Sequence, residues 1–267
     1  MKAVLEKLYQ GDKEQLVQDL LQCYKEQAFC IVNFIYFSNI VAQNLFNAQE
    51  RSNNQDDYRK ILLKGDFLLP DGIAVQIFYF CANLFHVINT PKKRLDNLNG
   101  TDFSSFFLER VREMYGNHKI CLLMYGAKET EVEKARKYIA YKGFNVIYAQ
   151  DGYSDFEREK AEEKLEEYQD TVNVLLVGRS TPTNPLQEMR TLKNYQKIKK
   201  NNLIVMNVWG LFDRWAWSQK RAPKRIRTIK LEWLRRLISD PKRNLKKVLN
   251  SLQIIPYIFR YLVLKKK

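Results

Sequence analysis

Six short apolar runs, set apart by longer amphipathic stretches, constrain this chain more than any other feature. They are Ala28–Phe34, Phe67–Leu69, Ile120–Tyr125, Asn145–Ala149, Val172–Val177 and Leu203–Val208. Runs this short and this apolar read as strands buried on both faces, as in parallel sheets. Between them, Ser38–Asn53, Ile73–Phe85, Asp102–Tyr115, Glu129–Tyr141, Asp155–Tyr168 and Leu186–Lys199 carry helical spacing. Strands alternating with helices predict an α/β domain, a Rossmann-like, mostly parallel sheet flanked by helices. In such sheets ligands sit at the carboxyl ends of strands, near a switch point in the winding. That rule singles out four loops: Pro70–Gly72, Tyr125–Lys128, Gly178–Glu188 and Trp209–Asp213.

Charge divides the chain. The formal net charge is +15 over 267 residues. From Arg214 to Lys267 there are 17 Lys or Arg against Glu232 and Asp240, so the first 213 residues are neutral overall. We therefore expect an α/β domain over 1–213 and a basic, helical C-terminal appendage over 214–267. Such an asymmetry points to a polyanionic partner, nucleic acid or an anionic membrane. Trp209, Trp215, Trp217 and Trp233 cluster around the basic segment, and Tyr257, Phe259 and Tyr261 follow. Aromatics beside cations suit a headgroup boundary. No nucleic-acid module is recognisable, so no nucleic acid is expected. Ile254–Leu264, broken by Pro256 and Arg260, is about half the length needed to span a bilayer and suits an interface.

Several chemistries are disfavoured. There is no GxGxxG, no GxxxxGK[ST], no GxSxG and no Asp-x-Asp; Asp56 and Asp57 are adjacent. His86 and His118 are too few for a histidine metal site. Cys23, Cys30, Cys81 and Cys121 lack CxxC spacing and read as reduced thiols. The first residues lack the apolar core of a secretory signal. What remains is Asp71, after a strand and before a helix. That position suits a helix cap and equally suits a general base, and the two roles are compatible. Gln187, at the start of a helical stretch, has the amide groups to fix a sugar hydroxyl or a uracil edge.

The short motifs, in order, resemble the WecG/TagA/CpsF glycosyltransferase family. They are Asn33 after the first strand, LPDGIAVQ around Asp71, the basic segment through NGTDF with Arg94, Gly100 and Asp102, PLQE at 185–188, GLFD at 210–213, KRAP at 220–223 and EWLRRLISDPKR at 232–243. The resemblance covers about residues 28–243. It implies transfer of an N-acetylmannosamine-like hexose from a UDP-sugar donor to a polyprenyl-diphosphate-linked sugar acceptor, with inversion and without metal or cofactor. It implies a peripheral enzyme on the cytoplasmic face of the bacterial cell membrane, docked through the basic tail. Asp71 would be the base. Asn33, Arg94, Asp102 and Gln187 would lie in or near the sugar and nucleotide pocket. Arg221, Arg236 and Arg243 would meet diphosphate or lipid headgroup, and Lys246 stands where relatives often carry Arg. Ile31 replaces a usual Thr, and Trp209 and Trp217 replace usual glycines, all around the expected donor pocket. The rival is a non-catalytic membrane- or nucleic-acid-binding protein that keeps the scaffold.

Overall fold

The computed structural model describes residues 1–27, 29–43, 45, 53–168, 170–179, 188, 191, 202–216 and 254–264. The chain runs α1 (Lys2–Glu6), α2 (Lys13–Gln27), β1 (Phe29–Tyr36), α3 (Phe37–Ala42), α4 (Asn53–Lys64), β2 (Phe67–Asp71), α5 (Ile73–Leu84) and α6 (Gly100–Tyr115). It continues with β3 (Ile120–Gly126), α7 (Glu129–Tyr141), β4 (Asn145–Gln150), α8 (Arg158–Glu166), β5 (Val172–Gly178), β6 (Leu203–Asn207), α9 (Leu211–Trp215) and α10 (Ile254–Ile258). A π-helical turn, Phe259–Val263, follows directly. All six expected strands form, and every pairing is parallel, in the order β2-β1-β6-β5-β3-β4.

Burial on both sides explains why the central strands are so apolar; β3, β5 and β6 are buried at every residue, whereas the edge strand β4 has none fully buried. One face packs against α2, α6, α7 and α9, with Val32, Phe34, Leu122, Met124 and Met206 turned toward them. The other face packs against α1, α3, α4, α5 and α8 through residues such as Ile35, Leu68, Tyr125 and Val205. Ile254, Tyr261 and Leu262 close the second face, so the last described segment is part of the body.

Two sequence expectations change. Cys23 on α2 and Cys30 on β1 form a disulfide, with Cα atoms 6.4 Å apart; only Cys81 and Cys121 are free. Absence of CxxC says nothing here, because the α2–β1 turn folds a seven-residue separation back on itself. Trp215 is a core residue, buried against Phe212, and Trp209 packs partly against the same core, so neither offers its ring to a membrane. Helix α9 also runs across position 213. Residues 217–253, most of the expected basic appendage, lie outside the described residues. Among the described residues, no helix is long and apolar enough to cross a membrane.

Candidate active site

Asp71 ends β2, an edge strand whose strand neighbour is β1; on its other side it makes one isolated bridge, Leu68 to Leu8. Pro70 is tolerated there because an edge strand leaves one row of backbone groups out of the ladder. Its carbonyl accepts a bond from Leu98 N at 3.3 Å. Gly72 follows with φ +89, and a Cβ on it would stand 3.0 Å from the Tyr36 ring. Glycine is therefore needed at this turn. Gly72, not Asp71, is the residue before α5, and it makes no side-chain cap bond. The Asp71 carboxylate reaches the next helix, where Oδ2 accepts Gly100 N–H at 3.5 Å. Asn97 Oδ1 accepts Gly72 N–H at 3.3 Å, tying the loop before α6 across the same turn. The half-buried carboxylate thus stands at the carboxyl rim of the sheet, beside the positive end of a sixteen-residue helix.

That helix starts on a reciprocal cap. Asn99 Oδ1 accepts Asp102 N–H at 2.9 Å, and Asn99 Nδ2 donates to Asp102 Oδ2 at 3.2 Å. The second Asp102 oxygen accepts Arg214 Nη1 at 2.8 Å, which fastens α9 to α6. Asp102 is therefore close to Asp71 in the fold, but its two oxygens serve the helix start and this ion pair. Gly100 lies against the Phe34 ring, where a Cβ would come within 3.3 Å. Arg94 is exposed, its guanidinium 5.2 Å from the centroid of the Phe80 ring.

Asn33 is placed differently from the strand-end position expected for it. β1 continues to Tyr36, so Asn33 sits mid-strand opposite Leu68, only 1% exposed. Three residues of strand, about 10 Å, separate it from Tyr36, the partner of Asp71. Its amide joins a buried chain: Thr191 Oγ1 donates to Asn207 Oδ1 at 2.7 Å, and Asn207 Nδ2 donates to Asn33 Oδ1 at 2.7 Å. Burial, with the negative Glu188 second, pushes the nearby Tyr58 phenol well above its ordinary range.

The winding reverses between β3 and β5, whose chains leave toward opposite sides of the sheet, and this crevice is where ligands settle in open α/β sheets. Its floor is bare backbone. Gly126 and Gly178 face each other in register, and a Cβ on Gly126 would fall 2.4 Å from the Gly178 carbonyl carbon. A Cβ on Gly178 would meet the Phe212 ring at 2.6 Å, and one on Gly152 would meet Gly126 Cα at 2.8 Å. Ala127 N–H donates to Gly178 O at 3.0 Å and Gly152 N–H to Ala127 O at 2.9 Å, which locks the three loops together. Trp209, after β6, adopts φ +53, a conformation costing about 1–2 kcal/mol for a residue with a Cβ. The glycine-like backbone thus persists where the sequence resemblance places a glycine in relatives.

Sequence reading missed this glycine floor, the Asn207 link and the Arg214 partner of Asp102. The first had a signal, since Gly126 and Gly178 each directly follow a predicted strand. Gln187, Arg221, Arg236 and Arg243 lie outside the described residues.

Six parallel strands in this order, flanked by helices on both faces, define a Rossmann-like α/β protein. The chain belongs to the WecG/TagA/CpsF glycosyltransferase family, whose model matches residues 7–267. A relative from Bacillus spizizenii, named N-acetylglucosaminyldiphosphoundecaprenol N-acetyl-beta-D-mannosaminyltransferase, is 26% identical over 188 residues, 70% of this chain and 65% of the relative. The match thus spans just under two thirds of that protein. A relative of the same name from Staphylococcus aureus (strain MW2) is 24% identical over 240 residues, 87% of this chain and 84% of the relative.

Proposed function

We propose that this enzyme transfers N-acetylmannosamine, or a closely related hexose, from a UDP-sugar to a polyprenyl-diphosphate-linked N-acetylglucosamine, in assembly of a bacterial cell-envelope polymer. The carrying observation is Asp71: a half-buried carboxylate at the carboxyl rim of the sheet, held beside the amino end of α6. An acceptor hydroxyl at that rim gives its proton to Asp71 as its oxygen attacks the anomeric carbon. The bond from that carbon to the β-phosphate oxygen breaks on the opposite side, so the configuration inverts and UDP departs.

The leaving diphosphate gains negative charge, which donors must stabilise. The carboxyl ends of β3 and β5, at the switch point, suit the nucleotide. Arg221, Arg236 and Arg243, carried over from the family motifs, suit the diphosphate or the lipid headgroup, so no metal step is required. Gln187 and Arg94 suit the sugar and nucleotide, while Asp102 and Asn33 act by holding α6 and β1 in place.

The acceptor is anchored in a membrane, and the surface is fitted to meet one. The segment 254–264 turns Ile254, Tyr261 and Leu262 inward and leaves Ile255, Phe259 and Leu264 each more than half exposed. Ile77 and Leu84 on the adjoining α5 are exposed too. With the basic residues of 214–267 contributing about 1 kcal/mol each near an anionic leaflet, this face suits peripheral docking at the cytoplasmic side.

The test is to incubate the protein with UDP-N-acetylmannosamine and a short-chain prenyl-diphosphate N-acetylglucosamine, with and without a chelator. A product of inverted configuration, formed equally in chelator, is expected. Retention of configuration, or a strict metal requirement, would overturn the mechanism. No transfer with any UDP-hexose would favour the non-catalytic scaffold.

A further inference from the structure

The opposite, amino end of the sheet carries a second cluster. Asp66 immediately precedes β2, five residues from Asp71 and so about 16 Å away along the strand. Its carboxylate and the sulfurs of Cys23 and Cys30 offer three ligand atoms that all lie within 4.8 Å of one another. Asp66 Oδ2 accepts Ile31 N–H at 2.7 Å, which fixes the carboxylate beside the sulfurs. A cavity of about 400 Å³ opens onto the cluster, lined by Cys23, Asp66, Asp19, Glu26, Lys7 and Lys64 among others.

Besides accepting the Ile31 amide, Asp66 brings a third potential ligand atom to the two sulfurs. Once the bond is reduced, two thiols and a carboxylate share one small volume, and a divalent cation stabilises their deprotonated forms, which otherwise repel one another. We propose that Cys23, Cys30 and Asp66 form, in the dithiol state, a site for one thiophilic divalent cation such as Zn²⁺. A dithiol reductant opens the bond, giving up two electrons and two protons as it closes to its own disulfide, and leaves two cysteine thiols. The cation then displaces both thiol protons to solvent and takes two thiolates and one carboxylate oxygen. The cavity leaves the fourth tetrahedral position open to water.

Geometry admits this. With Zn–S bonds of about 2.3 Å the sulfurs would stand about 3.8 Å apart, and the Cα separation of 6.4 Å allows that spacing by side-chain rotation. The Ile31 amide does what hydrogen-bond donors behind ligating carboxylates do elsewhere, orienting the ligand. Lys7 and Lys64 on the cavity wall offset the residual negative charge.

The experiment uses the full chain, reduced and freed of reductant under inert gas, titrated with Co²⁺. A thiolate-to-cobalt charge-transfer band in the near ultraviolet, saturating at one Co²⁺ per chain and lost on adding Zn²⁺, is expected. The disulfide form should show no band. Cys23→Ser and Cys30→Ser should each abolish the two-thiolate band, and Asp66→Asn, which keeps an oxygen for the Ile31 amide, should weaken affinity at least tenfold. Cys81→Ser should change nothing. Absence of the band in the reduced protein, its survival in Cys23→Ser, or undiminished affinity in Asp66→Asn would each overturn the site.

Discussion

The two halves of the sheet's carboxyl rim are built on opposite plans. Around β2 and β1 the rim is dense with side chains: Asp71 answers Gly100, Asn97 answers Gly72, and Asn99 and Asp102 close on each other. Around β3 and β5 it is stripped to backbone, with Gly126, Gly152 and Gly178 so close that none admits a Cβ without displacement. Under the function proposed above, the difference would separate two tasks. A proton acceptor must project a charged group and hold it still, which takes a network. A phosphate-bearing ligand must reach backbone N–H groups, which takes the removal of everything else.

The sharpest way to break this contrast is to remove the charge on one side and add a methyl on the other. Asp71→Asn keeps an oxygen for Gly100 N–H, so folding should be unaffected, while kcat should fall about 10²–10⁴-fold with little change in KM. Single-turnover transfer assays beside a urea melt would check both halves of that statement, and a kcat within a few-fold of wild type would end the base assignment. Gly126→Ala should behave in the reverse way. Its Cβ would press on Gly178 backbone, at a φ of +142, so overpacking and backbone strain together should cost about 2–4 kcal/mol. Gly178→Ala, which meets an aromatic ring able to shift, should cost less. The order of the two urea midpoints, with UDP affinity by calorimetry, tests whether backbone approach is what the crevice needs.

Much of this was legible in the sequence, and the reasons are physical. Doubly buried strands must be apolar, so the central ones could be read, and the edge strand β4 was read from the apolar Val146–Ala149 within it; Glu129–Tyr141 matched to the residue because its helical spacing is uninterrupted. The expected helix over Ser38–Asn53 instead yields α3 and a separate α4, Asn53–Lys64, since Asn and Gln residues there give periodicity little to act on. For the site, PDG marks a strand-to-helix turn without saying which helix the carboxylate faces. That depended on Gly100, 29 residues away, and pairings at such separations leave no local pattern. Cys23 and Cys30 escaped for the same reason: their meeting is a property of the α2–β1 turn, not of spacing. Asn33 looked like a strand-end residue because the apolar FIY that extends β1 past it could equally have opened a helix.

The smallest effect expected belongs to the loop that carries Gly152 up to Gly126. Asp151 Oδ1 accepts the Tyr153 and Ser154 amides at 2.7 and 3.0 Å, and its Oδ2 accepts Ser154 Oγ at 2.8 Å. Burial works to raise this carboxyl, but the Ser154 hydroxyl and the two amides outweigh it and hold the group below its ordinary value. A folded-state value below the unfolded one, about 3.9, means that the charged form stabilises the fold. That contribution is fully present above about pH 4 and is lost as pH falls through the lower, folded value. Because the group is largely exposed to solvent, it should amount to no more than about 0.5 kcal/mol. Asp151→Asn should therefore lower the urea midpoint slightly at pH 7, and the gap to wild type should close as the pH drops below 4. A gap of equal size at both pH values would show that shape, not charge, sets this turn, and that the crevice wall is held by backbone packing alone.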